Sequence, residues 1–306
     1  MTSGVLILTG RTASGKSALA LQLAERFGAE IVGADSRQIY RGMPIGTAAP
    51  SEADRARVPH HLVGFLEPHE RYSAARFVRD ALAAIDDIHA RGRRAIVAGG
   101  TGFYIRALAG DVVLSPVRDE ALRERLAHEA RVHPVDALYA WLRSLDLALA
   151  ARVPENDPYR VTRALEIALA ARDGRIPDGR DHRTADVSLR ARGITYRKLF
   201  LDVAPDVLLQ RIESRVDAML ASGLLDEAER IGANAIAADA VGYREALAYR
   251  AGWSTRDELR ALLVRNTRRY AKRQATWFRI EPDLTHLAGI GAFDAAAQIA
   301  QTLPGW

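Results

Sequence analysis

Apolar positions in the first third of the chain switch between two periods. Val5 to Thr9 is a short, nearly unbroken apolar run of the kind a fully buried strand makes, and it ends at a glycine-rich turn. A helical pattern follows, with Leu19, Leu23 and Phe27 on one stripe and Gly28 as its stop signal. A second buried run, Ile31 to Ala34, leads into Asp35. Phe77, Val78, Ala81, Leu82, Ile85 and Ile88 then recur at helical spacing up to Gly92, and Ala95 to Ala98 enters Gly99-Gly100-Thr101-Gly102 as another strand. Strands alternating with helices predict a parallel sheet covered by helices on both faces.

Beyond Pro116 the period changes. Residues 119–171 predict consecutive helices with no strand between them, punctuated at Pro134, Pro154 and Asn156-Asp157-Pro158. Asp157 suits an N-cap and Pro158 the first helical position. The polar stretch 172–192, rich in Arg and Asp, predicts a mobile loop. Leu199 to Val203 is strand-like again, so the expected plan is one α/β core, residues 1–115 and 196–306, carrying an all-helical insertion at 116–195. The C-terminal part reads as helical. Thr255 and Glu258 have capping-box spacing ahead of a long helix. Along it Leu259, Leu262, Leu263, Tyr270 and Trp277 form an apolar stripe, with Arg265, Arg268, Arg269 and Lys272 on a neighbouring face. Trp277 could stack on a base, but its place on that stripe favours burial.

Composition narrows the setting. The 306 residues include no cysteine, which excludes disulfides, thiolate catalysis and cysteine-ligated zinc and fits a reducing, cytoplasmic compartment. No apolar run is long enough for a membrane span. No heptad repeat is present either, so a monomer without an obligate protein partner is expected. The net charge of +5 is unevenly spread: between Arg244 and Arg279 there are ten basic and three acidic residues, and the rest of the chain is slightly negative. Such a concentration suits an RNA surface; a solvated helix is the competing explanation.

The most specific signal is Gly10-Arg11-Thr12-Ala13-Ser14-Gly15-Lys16-Ser17, a Walker A pattern between a strand and a helix. Its backbone N–H groups and helix N-terminus can cradle phosphates. Lys16 adds charge, and the Ser17 hydroxyl is placed to ligate Mg²⁺. The fold class expected is therefore a P-loop, kinase-like α/β sheet. The usual second ATPase element, a strand ending in a metal-binding Asp, is missing after Ala95 to Ala98, which argues against a motor ATPase. Asp35, at a strand end, can act as a general base; an N-cap or metal-bridging role competes. Thr101 can offer a hydroxyl to a leaving oxygen. His60 and His61 are adjacent, so they suit loop hydrogen bonds better than metal ligation.

Several motifs in series resemble one family. They are Asp35-Ser36-Arg37-Gln38-Ile39-Tyr40, Gly46-Thr47-Ala48, His60-His61-Leu62, Gly99 to Tyr104, Asn156-Asp157 with Arg163 to Glu166, Arg211 to Arg215, Val241 to Glu245, and Lys272 to Arg279. Together they resemble bacterial tRNA dimethylallyltransferases, also called tRNA isopentenyltransferases, over almost the whole chain. The resemblance implies dimethylallyl diphosphate with Mg²⁺ in the P-loop and a flipped-out adenosine, at tRNA position 37, as acceptor. It implies Asp35 as base and Thr101 on the bridging oxygen, with Lys16, Ser17 and Arg215 stabilising the leaving charge. Ser36, Arg37, Gln38, Arg123, Tyr159, Arg160, Val161, Thr162, Arg163, Val241, Gly242, Tyr243, Arg244, Arg268, Arg269, Lys272 and Arg273 are implied as contacts to the anticodon stem-loop. The family usually has Pro where Arg11 stands, and 172–192 matches it poorly. A small-molecule kinase, an adenylate prenyltransferase and a nucleotide-gated RNA-binding protein stay open as alternatives; the basic C-terminal region speaks against the first two.

Overall fold

The computed structural model describes residues 4–112, 114, 119–174, 187–289 and 291–306. The chain divides into two compact units, Met1–Val112 with Val187–Trp306, and Val113–Asp186.

In the larger unit the apolar run at the start forms β1 (Val5–Gly10), buried throughout. It is followed by α1 (Lys16–Phe27), β2 (Ala29–Gly33), the short α2 (Pro44–Thr47) and α3 (Glu52–Arg57), and β3 (His60–His61). Then come α4 (Ala74–Ala90), β4 (Arg94–Gly99) and α5 (Gly102–Ala109). The smaller unit contains α6 (Glu120–Val132), α7 (Val135–Leu145), α8 (Leu147–Ala150) and α9 (Pro158–Arg172). The chain resumes the sheet with β5 (Tyr196–Asp202) and continues through α10 (Pro205–Ala221), α11 (Leu224–Ile231), a 3₁₀ turn (Ile236–Asp239), α12 (Tyr243–Arg250), α13 (Arg256–Phe278), β6 (Leu284–Ala288) and α14 (Ala292–Thr302).

The six strands are parallel in the order β3-β2-β4-β1-β5-β6. β1 lies between β4 and β5, with Val5 opposite both Ala95 and Tyr196. Its position explains its composition: both faces are covered, so no alternation with polar residues survives. The six α4 positions singled out from their spacing are the six the helix buries. Gly28 ends α1 in a left-handed conformation (φ 61°), and Thr255 and Glu258 form the expected capping box on α13. The P-loop α/β class is the observed one.

Three expectations need correction. The C-terminal part is not wholly helical, because β6 adds a parallel edge strand to β5. Only Leu287 of β6 is buried, so the segment lacks the apolar run that reveals an inner strand. His60 and His61 lie in a two-residue edge strand on β2 rather than in a loop. Their expected hydrogen bonds are present, His61 Nε2 to Glu30 at 2.7 Å and His60 Nδ1 to the Val58 carbonyl at 2.7 Å. Of the stretch expected to be a mobile loop, residues 175–186 lie outside the described residues. Its near end belongs to α9, and its far end is pinned: Leu189 is fully buried and its N–H donates to the Leu108 carbonyl at 2.8 Å.

The helical unit packs around Leu122, Leu126, Leu138, Leu142, Val161 and Leu165. Asp157 caps α9 by accepting from the Arg160 N–H, with Pro158 in the first turn, as its sequence predicts. The buried Glu166 carboxylate holds Arg123 (3.0 Å) and Arg163.

Candidate active site

The turn after β1 has the backbone an anion cradle needs. Ala13 (φ 62°) and Gly15 (φ 96°) are left-handed, and no side chain caps the N-terminus of α1, so its first N–H groups are left for a ligand. Side chains from distant elements fix the loop from outside. Gln274 on α13 accepts from the Thr12 N–H at 2.7 Å and donates to the Gly100 carbonyl at 3.0 Å, bridging two strand-end turns. Arg211 donates to the Ser14 carbonyl at 2.7 Å, and Arg215 donates to Thr12 Oγ1 at 3.2 Å and the Thr47 carbonyl at 3.4 Å. The Arg11 guanidinium points elsewhere. It pairs with Asp202 (3.0 Å) and the Val203 carbonyl at the end of β5, so Arg11 belongs to the cradle only through its backbone.

Lys16, Arg215 and Asp35 share one electrostatic neighbourhood. Burial pulls the Lys16 ammonium down to about 8; Asp35 opposes that shift and Arg215 adds to it. Burial also lowers Arg215, again opposed by Asp35. Asp35 follows β2, and its Oδ1 accepts from the Arg37 N–H at 2.9 Å, which fixes the carboxylate against its own turn. On the neighbouring strand end, Thr101 Oγ1 accepts from the Ser36 N–H at 2.9 Å, and the Thr101 N–H donates to the Ala34 carbonyl at 3.2 Å. The approach is so close that a Cβ on Gly99 would lie 2.1 Å from the Ala34 carbonyl oxygen. Gly99 is thus what lets Thr101 meet the Asp35 turn, while a Cβ on Gly100 would lie 2.3 Å from the Gln274 amide nitrogen.

Above these groups lies a cavity with two kinds of wall. Thr12, Asp35, Ser36, Arg37, Thr47 and Arg215 form a polar side; Val216, Met219, Ala240, Val241 and Leu263 form an apolar one. Gly242, Thr267, Tyr270 and Arg273 complete the lining. Burial pushes the Tyr270 hydroxyl above its ordinary range, with Asp35 contributing, so it stays protonated.

The implied contact residues divide on inspection. Arg268, Arg269, Lys272 and Arg273 are exposed along α13 and, among the described residues, form no ion pair. Tyr159 is 76% exposed. Arg160 pairs with Asp157 at 3.2 Å, and the Thr162 hydroxyl donates to the Pro158 carbonyl at 2.8 Å. Arg244 reaches the Asp239 carbonyl at 3.4 Å. Arg37 is paired with Asp239 at 2.5 Å, and the Gln38 amide nitrogen donates to the Thr47 and Ala48 carbonyls. Two side chains are in the wrong place for RNA. Val161 is in the helical core, and Tyr243 is fully buried, its hydroxyl donating to Glu227 at 2.6 Å. Glu227 also accepts from the Ile45 and Gly46 N–H groups at 2.9 and 2.8 Å. An aromatic beside a glycine in a basic region looks like a contact residue; here the glycine precedes a helix whose first residue is core.

Arg211 and Gln274 stand inside the family motifs without a role assigned to them, and Glu227, Met219 and Thr267 were not singled out from the sequence. A buried glutamine on the apolar face of α13 was the one readable signal among them. For Mg²⁺ the fit rests on oxygen chemistry. The exposed Ser17 in the first turn of α1 offers one hard ligand, and Mg²⁺ characteristically takes most others from water and substrate phosphates. No group of three or more candidate metal-binding side chains exists among the described residues.

A family model for IPP transferases matches residues 38–281, and one for isopentenyl transferases matches residues 3–59. The chain belongs to the IPP transferase family. Its relatives include a tRNA dimethylallyltransferase from Geobacter metallireducens, 44% identical over 95% of this chain and 94% of that protein. Another, from Anaeromyxobacter dehalogenans, is 46% identical over 93% and 94%. Among solved structures, the tRNA isopentenylpyrophosphate transferase of Bacillus halodurans matches with TM-score 0.66 and 33% identity, over 98% of this chain and 99% of that one. A eukaryotic dimethylallyltransferase acting on tRNA matches with TM-score 0.77 and 27% identity, over 98% and 77%. The IPP transferase match covers the cavity lining from Gly46 to Arg273, and the isopentenyl transferase match covers Thr12, Asp35, Ser36 and Arg37.

Proposed function

We propose that this IPP transferase moves a dimethylallyl group from dimethylallyl diphosphate to the exocyclic amine of the adenosine at tRNA position 37, releasing pyrophosphate. The observation that carries the reading is the two-sided cavity: Thr12 of the phosphate cradle and the Asp35 carboxylate line a space whose other wall is Val216, Met219 and Leu263. A kinase handling a polar metabolite has no use for that apolar wall, whereas a five-carbon allyl chain needs it.

In the proposed reaction the adenosine, swung out of its stack, presents its amine to the allylic carbon. The nitrogen lone pair forms the new C–N bond while the C–O bond breaks, and its electrons stay on the bridging oxygen of the diphosphate. Asp35 takes the amine proton. Thr101 donates its hydroxyl to the bridging oxygen, and Lys16 and Arg215 compensate the charge that grows there. Mg²⁺, held through Ser17 and the diphosphate, supplies further charge neutralisation when bound. Half-buried Lys16 is suited to this task, since an arriving anion restores the solvation its ammonium has lost. The exposed arginines of α13 and the Tyr159–Arg160 end of α9 would contact the anticodon stem-loop, which puts the enzyme in the compartment of its tRNA, the cytoplasm.

Purified protein with Mg²⁺ and dimethylallyl diphosphate is expected to prenylate an unmodified anticodon stem-loop carrying adenosine at position 37. Transfer to AMP but not to that RNA would favour the adenylate branch; phosphate transfer from ATP to a metabolite would overturn the reading.

A further inference from the structure

α5 buries every residue but two. Phe103 and Arg106, three apart and so on one stripe, are the positions it leaves accessible, and Phe103 is 42% exposed. An exposed phenylalanine two residues from Thr101 calls for an explanation, and what lies beneath it supplies one. Phe103 meets Trp277 edge-on, with ring centroids 6.3 Å apart. The Arg106 guanidinium lies 4.7 Å from the Trp277 ring centre and bonds to Glu281 at 2.9 Å. Glu281 is in turn held at 2.6 Å by Lys198, which is fully buried and also bonds Asp111 at 2.5 Å. A buried ion network that takes no part in the chemistry therefore ends in a rigid aromatic step at the surface.

The step also has a direction. Arg273 lines the cavity, and Trp277 lies one helical turn further along the same face of α13. Aromatic and cationic groups alternate on the way: Tyr270 with Arg273 (5.6 Å), then Trp277 with Arg106, then Phe103. Flat apolar surfaces between cations are what single-stranded bases stack on, and an unstacked base is what flipping the target leaves beside it. Trp277 cannot be that surface, because it is the layer underneath.

We propose that Phe103 is a stacking platform for the nucleobase adjacent to the target adenosine. This rests on the tRNA-prenylating reading above. The test compares wild type with Phe103→Ala, Phe103→Leu and Phe103→Tyr, using the full chain. Leucine keeps the apolar contact with Trp277 but has no ring face; tyrosine keeps the face. Phe103→Ala and Phe103→Leu should each raise KM for the anticodon stem-loop by about 5- to 100-fold, leaving KM for dimethylallyl diphosphate within about twofold, while Phe103→Tyr stays close to wild type. A Leu variant with wild-type KM for RNA would overturn stacking. So would equal losses for RNA and diphosphate, which mark a packing defect.

A second readout needs no turnover: 2-aminopurine placed on either side of position 37. Its fluorescence should be quenched on binding wild type at one of the two positions, and that quenching should be lost in Phe103→Leu. Quenching that persists in the Leu variant would overturn the proposal. If wild type binds RNA with Phe103-dependent quenching yet transfers no prenyl group, the reaction reading fails while the platform stands.

Discussion

The phosphate cradle and the wall opposite it meet within one hydrogen bond of each other, yet they are specified in opposite ways. The cradle is local. Eight consecutive residues between a strand and a helix carry the left-handed positions Ala13 and Gly15, and Gln274, Arg211 and Arg215 only brace the loop from outside. The facing wall is assembled from α10, the segment before α12, and α13, three pieces that lie far apart in the sequence. Gln274, on α13, joins the two by accepting from the Thr12 N–H, and it also donates to the Gly100 carbonyl of the next strand-end turn. Anion binding can thus be carried by a short motif, whereas the shape that selects an acceptor depends on tertiary packing.

If the two regions have separate tasks, substitutions should separate them. The largest effect is expected on the acceptor side. Asp35→Ala should lower turnover about 10²- to 10⁴-fold, the usual range for a general base, while RNA affinity measured by filter binding changes little. A parallel collapse of binding would make Asp35 structural. Smaller is the effect of cutting the link. Gln274→Ala leaves the buried Thr12 N–H and Gly100 carbonyl unpaired, at about 1–3 kcal/mol each. Melting temperature should fall, and KM for dimethylallyl diphosphate should rise more than KM for RNA; a loss confined to RNA would place Gln274 with the wrong region.

The mildest test concerns the cradle alone. With the Lys16 ammonium titrating near 8 in the free protein, diphosphate binding above that pH requires uptake of a proton. Log Kd should be insensitive to Lys16 below pH 8 and rise above it, by up to about one unit per pH unit, and Lys16→Met should abolish that slope. Stability of the ligand-free protein should respond in the opposite sense. A buried ammonium whose pKa falls from 10.5 to about 8 penalises folding below pH 8, and the penalty fades between those values as the folded state sheds its proton. Calorimetric titrations across pH 7 to 10 read the binding slope directly.

The same division governs how much could be read from the chain. Inner strands β1, β2 and β4, the buried face of α4 and the caps of α9 and α13 were legible because each is encoded by its own run of residues. The glycine pair before Thr101 was visible as a turn, but its purpose, clearance at Gly99 for the Ala34 carbonyl and at Gly100 for the Gln274 amide, belongs to tertiary packing. β6 was hidden because an edge strand with one buried residue looks like polar loop. Tyr243 misled: the family resemblance implied an RNA contact, while a carboxylate from α11 holds it in the core. Tyr270 was legible as part of an apolar stripe, but that stripe does not say whether it faces protein or substrate, and Tyr270 lines the cavity.

A crystal complex with a non-reactive thiolodiphosphate analogue of the donor and an anticodon stem-loop tests the central claim most directly. Such a complex should place diphosphate on residues 10–17, the allyl chain against Met219 and Leu263, and the amine of the flipped adenosine within hydrogen-bond reach of Asp35. A nucleotide filling the cradle, with the RNA elsewhere and Asp35 facing away from it, would contradict the account.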